Sequence, residues 1–312
     1  MGLVKSVVDS FSFICNIQFW RMATSGLGEA AAYALSKEGF YVVLVGRSSE
    51  LLSKVISDIK NREGDTHLKA FEVDLSSFKS ILEFKHLLEQ WLLESKMHSS
   101  VQLLINNAGI LATSRRFTSE GHDQMLATNY IGAFCLTKLL LPLLKNSPVP
   151  SRVVNVTSFT HRSADRETVS GNHFMKSKFY PYAQVYEWSK LCLLLFSYEL
   201  HRQVGLSEKS HHLSIVAVDP GAVETNIMRE IPSCVSRMAL VGLKFLGLLQ
   251  SSETGIRSIV DAALAPPEVS GVYFFGGNGR CLNSSPLSYD PALAKDLWST
   301  SCNLFQELQL NS

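Results

Sequence analysis

The run Phe40-Tyr41-Val42-Val43-Leu44-Val45, closing on Gly46-Arg47-Ser48-Ser49, decides how the chain is read. It is short, unbroken in its apolar character and rich in β-branched residues. Such a run suits a strand buried on both faces, as in a parallel sheet. Upstream, residues 24–39 read as a glycine turn and then a helix that Gly39 is placed to end. Downstream, Ser49 to Ile59 is amphipathic and stops at Asn61 to Gly64.

The same rhythm continues. Residues 67–73 form a strand leading to Asp74, and 77–95 a long helix. Residues 101–105 run as a strand into Asn106-Asn107-Ala108-Gly109, and a helix covers 120–145. Residues 152–157 are a strand ending at Ser158. A helix opens at Tyr186, and residues 213–218 are a strand ending in Asp219-Pro220-Gly221. Residues 234–249 and 252–264 read as helices, and 271–275 as a last strand. Strands alternating with helices over short connections predict an α/β fold. Its doubly wound, mostly parallel sheet (a Rossmann fold) carries helices on both faces. The expected division is an atypical N-terminal segment over 1–22, one domain over 23–285, and a mobile C-terminal tail over 286–312.

Composition narrows the function. The chain has 312 residues, 46% hydrophobic and 18% charged, with a formal net charge of +1. That suits a buried globular core and gives no electrostatic case for nucleic acid. The six cysteines, at 15, 135, 192, 234, 281 and 302, form no CxxC, and none has a His at metal-ligand spacing. They read as free thiols of a reducing, cytoplasmic compartment, with no metal site. No run reaches the roughly 20 apolar residues of a membrane span. Met1-Gly2-Leu3-Val4-Lys5-Ser6 fits the loose myristoylation pattern. Residues 11–20 are apolar and aromatic, so a leading strand and an interfacial segment with peripheral membrane association both stay open. A secretory signal fits poorly, because Asp9 and Ser10 interrupt the apolar stretch.

The residues that stand out fall at strand ends, where open parallel sheets bind ligands. Gly26-Leu27-Gly28 would let backbone approach a diphosphate at a helix N-terminus, though a plain turn explains two glycines as well. Arg47 stands where an acid would grip the ribose 2′-hydroxyl of NAD. An Arg there instead accommodates the 2′-phosphate of NADP, the alternative being a surface Arg in a loop. Tyr186 and Lys190 share one face of a helix. A fixed ammonium there is expected to lower the phenol from its usual pKa of about 10, giving a proton-transfer device.

Ser25-Gly26-Leu27-Gly28, Asn106-Asn107-Ala108-Gly109, the Ser158 strand end, Tyr186-x-x-x-Lys190 and Pro220-Gly221, in that order, resemble the short-chain dehydrogenase/reductase family. The resemblance covers residues 23–275. The stretches from Asn106 to Pro142 and from Ser158 to Tyr186 are similar to its retinol-dehydrogenase-like and protochlorophyllide-reductase-like branches. It implies that Tyr186 handles the substrate proton and that Lys190 tunes Tyr186 and holds the nicotinamide ribose. Ser158 would polarise the carbonyl, and Asn129 would position a relay water. Ser25, Gly26, Leu27, Gly28, Arg47, Asp74, Asn106, Ala108, Gly109, Pro220, Gly221 and Thr225 would line the cofactor, with Asp74 at the adenine and Thr225 at the nicotinamide amide.

The implied protein is an NADP(H)-dependent oxidoreductase acting on a carbonyl or alcohol carbon, with a homodimer by family analogy. If residues 234–249 form the substrate lid, the substrate is lipophilic: a retinoid, steroid or polyprenoid. An amphipathic core helix explains that stretch equally well. One departure stands out. Arg21-Met22 takes the place of the family's Thr-Gly, and a Met there would crowd the turn that carries the diphosphate. It is the one support for a rival reading, a non-catalytic or cofactor-impaired scaffold or regulator. A nucleotide-sugar epimerase shares the Tyr and Lys logic but needs a C-terminal substrate domain that the length does not provide.

Overall fold

The computed structural model describes residues 12–16, 27–165, 179–206, 213–223, 249–276 and 283–312, with isolated positions at 227, 230, 231, 237, 241, 242, 244 and 245. Seven strands make one sheet. They are β1 (Ser12–Asn16), β2 (Tyr41–Gly46), β3 (Leu68–Glu72), β4 (Leu103–Asn106), β5 (Ser151–Val156), β6 (Leu213–Asp219) and, after the short β7 (Ala222–Val223) and β8 (Leu249–Gln250), β9 (Val272–Phe275). The spatial order is β3-β2-β1-β4-β5-β6-β9, and every pairing is parallel. The order reverses at β1 and β4, the switch point beyond which such sheets bind ligands.

The strand pleat sorts the core into two halves. Val43, Val45, Leu104 and Val153 face one way, onto α3 (Phe78–Glu94), α4 (Gln124–Lys145) and α5 (Tyr182–Gly205). Val42, Leu44, Val154 and Val216 face the other, onto α1 (Leu27–Lys37), α2 (Ser49–Arg62) and α6 (Ser252–Leu264). Burial on both faces is why these strands read as unbroken apolar runs. Gly39, at φ +85°, closes α1: its N–H donates to Ser36 O at 3.1 Å and Phe40 N donates to Leu35 O at 3.2 Å. These are the two bonds of a Schellman end, which needs the left-handed conformation glycine permits. Ser48 and Ser77 cap α2 and α3, accepting from Leu51 N and Ser80 N.

β1 answers the open question at the front. Residues 12–16 are a strand in the middle of the sheet, with Ile14 opposite Val43 on one side and Leu104 on the other. Arg21, Met22, Ser25 and Gly26 lie outside the described residues. At the other end, the expected mobile tail is corrected. It holds α7 (Pro291–Leu310), whose Asp290 side chain accepts from Ala292 N and Leu293 N. Trp298 stacks on Phe196 (centroids 6.1 Å, 17°), and Tyr130 Oη meets Ser301 Oγ at 2.6 Å. An N-cap followed by Pro at the first position, then an apolar stripe through Leu293, Leu297 and Leu304, is a helix signal that the tail reading passed over. α4 is long and apolar enough to cross a bilayer, but most of it is buried inside the fold, as a core helix is.

Candidate active site

The carboxyl ends of β4, β5 and β6 open on one cavity of about 350 Å³. β4 leads to Gly109, β5 to Ser158, and β6 to Asp219-Pro220-Gly221. α5 runs behind them and presents Tyr186 and Lys190 to the same space. The outer walls are apolar, with Phe159, Tyr182, Ile227, Ile231 and Leu249 among them, and Leu27 at the start of α1 reaches the cavity too.

Lys190 is buried, and its ammonium donates to Val156 O at 3.1 Å. The ammonium lies 5.8 Å from the centre of the Tyr186 ring. Thr157 Oγ1 donates to the Lys190 carbonyl at 3.0 Å, tying α5 to the end of β5. A Cβ on Gly109 would sit 3.2 Å from Lys190 Nζ, so the glycine leaves room for the ammonium. Burial pulls Lys190 down to about 8, against the opposing pull of the Asp219 carboxylate.

Tyr186 overturns the expected sign. Burial pushes its phenol well above the usual tyrosine range, a hydrogen bond with Ser158 acts against this, and the Asp219 charge adds to it. Lys190 is not what dominates, because removing the phenolate from water costs more than an ammonium already bonded to a carbonyl returns. Ser158 Oγ also accepts from Thr160 Oγ1 at 3.1 Å.

Asn129 is at the cavity's back rather than on its wall. It sits in Ala127–Ile131, a π-helical turn within α4, and is fully buried. Its Oδ1 accepts from Ile110 N at 2.8 Å, and its Nδ2 donates to Ile110 O at 2.9 Å and Ser189 Oγ at 3.0 Å. It therefore pins the loop after β4 to α5. Asn106 is likewise inside: its Nδ2 donates to Thr137 Oγ1 at 3.0 Å and Asn155 Oδ1 at 2.7 Å. Asn155 passes the chain on to Ser197 Oγ at 2.8 Å. Ala108 packs in the core.

The remaining candidates spread along the sheet edge. Pro220 and Gly221 line the cavity. Gly221 has φ +78°, a left-handed backbone conformation that strains any residue with a Cβ. Gly28 is buried in the first turn of α1. Arg47 follows β2 beside Ser48, the α2 cap, and Asp74 follows β3, its Oδ1 accepting from Ser76 N at 2.9 Å. Neither Arg47 nor Asp74 lines the cavity; both lie across β1 from it, along the same carboxyl edge. Thr225 is outside the described residues.

Two residues escaped the sequence reading. Asn155 is a polar side chain inside the apolar run 152–157, and Asp219 is an acid directly ahead of Pro220-Gly221.

The donors and gaps suit a nicotinamide cofactor. The Lys190 ammonium and the Ser158 and Tyr186 hydroxyls share one cavity, Gly109 and Gly221 keep backbone open beside them, and the N-terminal turn of α1 meets the same edge. A Rossmann fold with Ser, Tyr and Lys gathered at its switch point defines a class of dehydrogenases. Residues 22–235 match the family model described as short chain dehydrogenase, and the chain belongs to the short-chain dehydrogenase/reductase family. It is similar to human polyprenol dehydrogenase, with 32% identity over 90% of this chain and 82% of the relative. It is also similar to human retinol dehydrogenase 13, with 30% identity over 90% and 82%. Short-chain dehydrogenase TIC 32 A, chloroplastic, of Brassica napus is 30% identical over 91% and 87%. These relatives set it in the retinol-dehydrogenase-like branch. Among solved structures, salutaridine reductase from Papaver somniferum shares the fold, with a TM-score of 0.61 at 18% identity over 84% of this chain and 99% of that one. The family binds a nicotinamide cofactor, and the chain is an oxidoreductase for CH–OH and C=O groups.

Proposed function

We propose that the protein reduces the carbonyl of a lipophilic substrate with NADPH, Tyr186 supplying the proton. The observation that carries this is the meeting of Ser158, Tyr186 and Lys190 in one apolar-walled cavity. The nicotinamide supplies the hydride at the carbonyl carbon. Ser158 donates a hydrogen bond to the carbonyl oxygen and favours the charge that builds there. Tyr186 then gives its proton to that oxygen. The phenol, protonated at neutral pH, is the general acid of the reduction. Lys190, next to Gly109, would hold the nicotinamide ribose.

The apolar walls support a lipophilic substrate, and relatives named for retinol and polyprenol support a long isoprenoid alcohol or aldehyde. NADP(H) over NAD(H) rests on Arg47 at the end of β2, with Glu50 the first acid after it. The test is direct titration of the purified protein with NADPH and NADH, followed by a screen of aldehydes and ketones. The expected result is tighter NADPH binding and turnover that rises with chain length of the carbonyl. Turnover confined to small polar carbonyls, or no binding of either nucleotide, contradicts the proposal.

A further inference from the structure

We infer that Asp219 is a positioning residue of this site, a buried carboxylate in the cavity wall it shares with Lys190 and Tyr186 that helps hold the Lys190 ammonium in its charged form. The inference rests on the oxidoreductase reading above. Asp219 ends β6, is fully buried and lines the cavity with both of them. One carboxylate oxygen accepts from Gly221 N at 2.8 Å and the other from Tyr273 Oη at 2.9 Å. These bonds aim the group without neutralising it.

The turn does not need the charge. An Asn could accept from Gly221 N and donate to the Tyr273 hydroxyl in the same places. Burying a carboxylate is costly, and burial indeed raises Asp219 to about 6. A charge kept at such a cost beside two reactive groups is a mark of function. Its effect on both neighbours is upward: it helps Lys190 keep its proton against burial, and it makes the Tyr186 phenol harder to ionise.

The other titratable groups around it do not replace this charge. Glu187 lines the cavity from α5, and Arg162 acts from the exposed turn after β5. His161 stands edge-on to Tyr273 at 5.5 Å. Its Nε2 accepts from Ser285 N at 3.1 Å, so its Nδ1 donates to Ser158 O and the ring is neutral, with burial lowering it to about 4.

The test compares kcat/KM against pH for wild type, Asp219→Asn and Tyr273→Phe. Lys190 keeps its proton only up to about 8, so activity is expected to fall as pH rises through its deprotonation. Asp219→Asn removes the charge that helps Lys190 hold this proton and is expected to move that basic limb to lower pH, and to erase the inflection near pH 6. Tyr273→Phe keeps the acid but removes one donor to it, so the inflection near 6 should move up; this variant carries the test if Asp219→Asn does not fold. Superimposable profiles overturn the inference. Tyr186→Phe separates the two ideas: full activity there ends the assignment of Tyr186 as proton donor, whereas an inactive Tyr186→Phe with an unmoved Asp219→Asn profile ends only this one.

Discussion

Arg47 makes cofactor choice a single-residue question. Arg47→Asp deletes a cation suited to a 2′-phosphate and installs an acid suited to a free ribose hydroxyl. The ratio of kcat/KM for NADPH to that for NADH is expected to fall at least tenfold, about 1.4 kcal/mol of discrimination. An unchanged ratio assigns Arg47 to the loop alone. Asp219 makes a stability prediction with a definite sign. Burial raises its folded pKa to about 6, above the ordinary carboxylate value of 3.8. Stability tied to this group is therefore full below about 4 and is lost as pH rises to about 6. Asp219→Asn should then stabilise the protein at neutral pH by up to about 3 kcal/mol and leave it little changed near pH 4. Urea unfolding at the two pH values reads the difference. At this scale the sequence showed which residues matter better than what their environment does to them. The four-residue spacing brought Tyr186 and Lys190 together, as read. The sign of the Tyr186 shift was misjudged, because burial is a property of the packed cavity and not of spacing.

Among the elements, α7 and the π-helical turn of α4 carry the site from behind. α7 lays Trp298 on Phe196 and sets its edge against Phe134, whose helix also holds Asn129. Trp298→Ala is expected to cost roughly 2–3 kcal/mol, under the range for a fully buried tryptophan because the ring is only partly covered. Thermal unfolding measures it, and a variant as stable as wild type would mean that α7 rests on the core without supporting it. The spans of β2 to β6 and β9 were legible to within two residues, since each is an apolar run between turns; β1 was left open within 11–20, and the two-residue β7 and β8 were not read. α7 was not recovered, although Asp290-Pro291 opens it and Leu293, Leu297 and Leu304 share a face: the polar residues off that face, Lys295, Asp296 and Ser299, make the stretch look like a tail. The buried chain Asn106–Asn155–Ser197 could not be drawn from sequence either, because its members come from different elements that only the fold aligns.

For the whole molecule, one geometric rule does most of the positioning. Parallel strands with right-handed crossovers put every strand's carboxyl end on one edge, so residues far apart in sequence meet there without any local signal. That is why Gly109, Ser158 and Gly221 share a cavity with Tyr186 and Lys190. It is also why the fold class and much of the site could be read from a single chain, while the substrate, set by the shape of the apolar walls, could not. The central claim is that Tyr186 supplies the substrate's proton. Its most direct measurement is single-turnover reduction of a lipophilic aldehyde by wild type and Tyr186→Phe, each saturated with NADPH, with cofactor affinity measured alongside. The account expects the chemical step to slow by about 10²- to 10⁴-fold while NADPH affinity stays within about twofold. A Tyr186→Phe enzyme that reduces the aldehyde at the wild-type rate would contradict it.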